Sequence, residues 1–147
     1  MLTPADMPPG YLLVISRPDE IDIQDVQDAE LGMSAYLRPE GELVFDIRTE
    51  SKVTGSHNVV RGKLLFHLMI QHYGSSIRTI HCYWNDDSTN LTEFNRYTKL
   101  GMSEKEAASK VWSGARAIEH GFVNVTMGER IKAGPGAYAV VGADFSR

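Results

Sequence analysis

Three helical patterns lie between residues 58 and 121, with strand patterns before, between and after them, and that order limits the folds open to this chain. Residues 58–73 place Val60, Leu64, Leu65, Leu68 and Met69 at helical spacing, with Lys63, His67 and Gln71 as a polar stripe and Gly74 as the stop. "NLTEFNRYTKLG" opens on Asn90 with Glu93 three residues on and closes at Gly101. "SEKEAASKVWSGARAIEHG" opens on a Ser103/Glu106 capping box, closes at Gly121, and carries Ala107, Val111, Ala115 and Ile118 as its buried stripe. The last two helices follow one another with no strand between them, so repeated βαβ crossovers are ruled out. The pattern predicts an α+β fold with a mostly antiparallel sheet and three main helices.

The strands support that reading. "YLLVIS", residues 11–16, is a short buried strand, and "AYLRPEGELVFDIRTE" is a hairpin with Pro39 at position i+1 of its turn and Leu43, Phe45 and Ile47 on one face. Residues 77–84, "IRTIHCYW", carry apolar groups on both parities, as a central strand does. "FVNVTMGERIK" and "AYAVVGADF" alternate and meet across "AGPG". Between the first strand and the hairpin, six carboxylates fall between Asp19 and Glu30 without a cation, and this segment is expected to be an acidic loop or a short surface helix. No internal repeat or domain boundary is visible. Residues 1–10 read as a linker and 11–147 as one α+β domain.

The 147 residues suffice to bury a core without staples. A single cysteine, Cys82, excludes a disulfide framework and suits core filling. No apolar run reaches the roughly 18 to 20 residues of a membrane span, and the basic-then-apolar layout of a signal peptide is missing.

The net charge of −4 conceals an asymmetry. Residues 1–47 sum to −8 and residues 48–147 to +4. Within the second part, residues 51–85 contain Lys52, Arg61, Lys63, Arg78 and four of the five histidines, and no Asp or Glu. Helix starts carry partial positive charge and usually recruit carboxylates. Here Arg61 and Lys63 fall in the opening turns, preceded by Thr54, Gly55, Ser56 and His57. An incoming phosphate would meet the unpaired N–H groups of that start, with Ser56, Arg61, Lys63 and Lys52 as its ligands. The plainer alternative is an ion pair between Arg61 and Asp46, or between Arg61 and a carboxylate of the acidic segment.

His57 and His81 are candidate proton carriers, because metal-independent RNA cleavage needs a base on the 2′-hydroxyl and an acid on the leaving oxygen. His81 also suits a satisfied core histidine. Trp84 and Trp112 are core aromatics by default and stacking platforms by alternative. Asp86 and Asp87 could join His81 on a divalent metal, but a turn before the next helix is the simpler use, and neither a metal nor a cofactor is expected. Gly114 costs its helix about 1 kcal/mol relative to alanine, so a neighbour should approach its backbone. Walker, dinucleotide, nucleophile-elbow, Cys-x-x-Cys and His-Glu-x-x-His signatures are all missing.

Residues 42–147, above all "NLTEFNRYTKLGMSEKEAASKVWSGARAIEHGFVNV" and "GPGAYAVVGADF", resemble C-terminal domains of bacterial RHS-repeat and filamentous-haemagglutinin-like polymorphic toxins. The shared pattern is an Arg-Gly at a helix start (Arg61, Gly62), a strand ending in Trp84, an "FNR" helix (Phe94 to Arg96) and a "TW-T-G" step, here "VWSG" from Val111 to Gly114. Both threonines of that step are replaced, by Val111 and Ser113. The resemblance implies secretion as the tail of a larger delivery protein, action in the cytoplasm of a competing cell, and a cognate immunity protein.

Together these features lead to a toxin effector domain acting on nucleic acid, as a metal-independent ribonuclease with Arg61, His57 and His81 catalytic. A nucleotide-using transferase such as an ADP-ribosyltransferase, with Glu129 as its acid, is the alternative enzyme. A non-catalytic protein-binding module is the third possibility.

Overall fold

Strand β1 (Tyr11–Ser16) opens an antiparallel meander, in a computed structural model that describes residues 1–50, 59–85 and 88–147. β2 (Glu20–Asp25), β3 (Gly32–Leu37) and β4 (Glu42–Arg48) follow, each paired antiparallel with the strand before it. Helix α1 (Val59–Tyr73) and a short 3-10 turn, Gly74–Ser76, complete the first of two units, Met1–Arg78. The second unit, Thr79–Arg147, holds β5 (Thr79–Trp84), α2 (Thr89–Lys99), α3 (Glu104–Lys110), α4 (Trp112–Glu119), β6 (Asn124–Gly134) and β7 (Ala137–Ser146). In it β7 lies between β5 and β6, antiparallel to both. The fold is α+β, with every described strand pair inside either unit antiparallel. None of the described helices is long and apolar enough to cross a membrane.

The first half of the acidic segment, Glu20–Asp25, is a strand rather than a loop or helix, and the loop expected there is confined to residues 26–31. Ile21 and Ile23 are fully buried and Asp25 nearly so, while Glu20, Asp22 and Gln24 alternate on the other face. Two isoleucines separated by one aspartate satisfy a period of two, and burying both outweighs the charge crowding on the solvated face. Pro39 takes its expected place: Gly41 N–H donates to Arg38 O at 2.9 Å, closing the turn between β3 and β4.

α1 buries Leu65, Leu68 and Met69 and exposes Lys63, His67 and Gln71, as its periodicity predicts; Phe66 is buried as well, Leu64 is half-buried, and the Val60 side chain lies outside the described residues. The Phe66 ring meets Phe45 of β4 edge-on at 5.5 Å, and the Tyr73 hydroxyl donates to Ala35 O of β3 at 2.9 Å. Each fully buried side chain of this size contributes about 1.5 to 3 kcal/mol. His72 is buried too. Its Nδ1 accepts the Leu2 N–H at 3.1 Å, which leaves Nε2 to donate to Arg17 O at 2.7 Å and fixes the neutral tautomer.

Four α-helices are present among the described residues where three were expected, because the last pattern is divided. Val111 has extended backbone, φ −64° and ψ 160°, ending α3 and capping α4. The break resets the phase. Ala107 and Val111 are buried as predicted, but beyond the break Ser113, Gly114 and Ala117 face inward in place of Ala115 and Ile118. Gly114 makes this geometry possible: a Cβ there would lie 1.7 Å from Ala108 O and 3.0 Å from the Phe145 ring. The α2 cap also differs from expectation. Ser88 caps by accepting the Asn90 backbone N–H, while the Asn90 side-chain Oδ1 accepts the Ser113 N–H at 2.9 Å.

Candidate active site

The charged start of α1 finds its carboxylate in β2. Asp25 is in phase with Ile21 and Ile23, so it faces inward, with its side chain only 7% exposed. One of its oxygens accepts the N–H groups of Gln27 and Asp28, at 2.8 and 3.2 Å. The other accepts Arg61 Nη1 at 2.6 Å. Tyr11, opposite Asp25 on β1, lies beneath the guanidinium at 5.9 Å from its ring centroid. The crevice lined by Tyr11, Asp25, Gly32, Arg48, Thr49 and Arg61 has room for about one water molecule. Arg61 is thus paired with a carboxylate of the acidic segment, and Lys63 is exposed. Lys52, Ser56 and His57, and Asp86 and Asp87, lie outside the described residues.

The second unit places a histidine and a carboxylate together on one face of its sheet. Along β5, Ile80, Cys82 and Trp84 are buried, while Thr79, His81 and Tyr83 face the other way. β7 sets Asp144 directly opposite His81, with Ala143 and Phe145 buried behind it. His81 Nδ1 and Asp144 Oδ1 are 2.6 Å apart. A carboxylate there selects the tautomer with hydrogen on Nδ1, leaving the Nε2 lone pair to take a proton from another molecule. Both side chains are about one-third exposed, so a reacting group can reach the imidazole.

The rest of that face is built around a bulge. Thr126 of β6 pairs with Asp144 on the side away from His81. The register then shifts between Met127 and Arg130, bringing Glu129 over Gly142, where a Cβ would sit 3.2 Å from Glu129 N. Bulges of this kind re-aim side chains beside functional positions. Glu129 is exposed.

Trp84 does not serve as a stacking platform. It is 3% exposed and packs on Phe94, with ring centroids 6.2 Å apart. Trp112 is half-buried beneath the Arg116 guanidinium, at 5.5 Å. Cys82 is a buried thiol whose pKa desolvation pushes far up, so it behaves as an apolar core group. The "FNR" and "VWSG" motifs hold the unit together. Asn95 exchanges two hydrogen bonds with the Tyr138 backbone of β7, at 2.9 and 3.0 Å, and Phe94 is fully buried.

Asp144 went unseen in the sequence. Asp144 is the sole charged side chain of β7, on the outward parity of "AYAVVGADF", but its partner depends on a pairing between residues 63 positions apart. His81 and Asp144 belong to one unit and Arg61 to the other. Compared with protein-family models, with curated proteins and with solved structures, the chain matches none.

Proposed function

We propose that this chain is a bacterial toxin effector domain that cleaves nucleic acid, with metal-independent RNA cleavage as its reaction. The observation that carries the reading is the His81–Asp144 pair, a solvent-reachable imidazole oriented by a carboxylate. His81 Nε2 would take the proton of a 2′-hydroxyl as its oxygen bonds to phosphorus. The bond from phosphorus to the 5′-oxygen breaks, and that oxygen leaves with a proton from water. The products are a 2′,3′-cyclic phosphate and a free 5′-hydroxyl. The carboxylate-free basic run of residues 51–85 supports a polyanionic substrate. Delivery by a larger protein and neutralisation by an immunity protein belong to the same proposal.

Expression in a bacterial host beside His81→Ala and Asp144→Asn variants tests it, with total RNA and DNA run on gels. Growth arrest with degraded RNA is expected only from the parent chain. Asp144→Asn should lower cleavage by about 10²- to 10⁴-fold through loss of the oriented base. Arrest with intact nucleic acids would move the assignment to the transferase. No arrest would favour the binding module, and the Arg61–Asp25 pair suits that reading because it gives the cation a structural use.

A further inference from the structure

We infer that Tyr83 is the platform on which a base of a single-stranded nucleic acid stacks beside His81; this rests on the cleavage reading above. Tyr83 follows His81 by two residues on β5, so both side chains leave the sheet on the same face. It is 52% exposed, whereas its neighbours Cys82 and Trp84 are 3% exposed. Thr79 and His81 on the same face are only partly exposed, so Tyr83 is the most open side chain on that face of β5.

The cross-strand surroundings favour a flat ligand. The residue opposite Tyr83 on β7 is Gly142, which has no side chain to lie against the ring. Next to it on β7, towards the dyad, Asp144 holds His81. Adjacent residues of one parity stand about 7 Å apart along a strand. That is the scale of one nucleotide step, so a phosphodiester at His81 places the neighbouring base over Tyr83. A duplex cannot offer that base face, and stacking tolerates any base. The preferred substrate class is therefore single-stranded RNA with little sequence preference at the stacked position.

The full chain and its Tyr83→Ala, Tyr83→Phe and His81→Ala variants are tested with two probes: a single-stranded deoxyoligonucleotide, which lacks the 2′-hydroxyl, and the matching RNA. Tyr83→Ala should weaken deoxyoligonucleotide binding and raise KM for RNA by about 5- to 150-fold, with kcat little changed. Tyr83→Phe should keep both, and His81→Ala should lose cleavage while keeping binding. Equal binding by the parent and Tyr83→Ala, or an equal loss in Tyr83→Phe, would overturn the stacking role. Tyr83-dependent binding without cleavage of RNA would uphold the platform and overturn the reaction instead, so the two failures are distinguishable.

Discussion

Asp25 holds Arg61 at 2.6 Å with one carboxylate oxygen and the N–H groups of Gln27 and Asp28 with the other, so a single side chain fixes both the end of β2 and the start of α1. Asp25→Ala should cost about 2 to 4 kcal/mol, since it removes a buried acceptor from two backbone N–H groups and one partner from the guanidinium. Arg61→Ala should cost only about 1 kcal/mol, because its side chain is half-exposed and solvent screens the pair. Urea denaturation of both variants checks the order. A larger loss in Arg61→Ala would mean that the arginine, not the aspartate, organises the junction.

Gly114 offers a test in which propensity and packing disagree. Alanine should gain about 1 kcal/mol in an exposed helix. Here its Cβ would enter the space of Ala108 O, so Gly114→Ala should lose about 1 to 3 kcal/mol or more. A higher melting temperature in the variant would refute the close crossing of α3 and α4.

His72 gives stability a pH dependence of known sign. Burial lowers its pKa from 6.5, and the hydrogen bond to the Arg17 carbonyl opposes this in part. The unfolded chain therefore binds the proton more readily than the folded one. The stabilisation is complete above about pH 6.5 and is lost as pH falls below it, at no more than about 1.4 kcal/mol per unit. The stability difference between the parent and His72→Asn should shrink from pH 7 to pH 5. A constant difference across that range would show that His72 does not titrate with unfolding.

Asn95 pairs with a backbone N–H and a backbone carbonyl at once, so its two ends are not interchangeable. Asn95→Ala should cost about 1 to 3 kcal/mol. Asn95→Asp should cost at least as much at neutral pH, since it sets a carboxylate oxygen against Tyr138 O, and should recover in part below about pH 4. Thermal melts of the two variants at pH 7 and pH 3.5 decide the matter.

What the sequence disclosed was local. The α1 stripe, the Ser103 cap, the Pro39 turn and the close approach at Gly114 each depend on residues within a few positions of one another. The strand at Ile21 and Ile23 was hidden because two apolar residues are too few to show a period among six carboxylates. The division at Val111 was hidden because Ala107 and Val111 fit one helix and nothing nearby demands a stop. Arg61 had candidate partners in sequence, and only the pairing of β1, β2 and β3 selects Asp25. For Asp144 even the candidates were out of view, since register alone faces it with His81.

Within each unit, every strand pair but one joins neighbours in sequence. The exception is β5 with β7, and it carries His81 and Asp144, 63 positions apart. Contacts that close long loops have the largest entropy to overcome and form late. Until β7 pairs with β5, the imidazole has no carboxylate to orient it. The proposed chemistry therefore depends on one long-range strand pairing as much as on the two residues it joins.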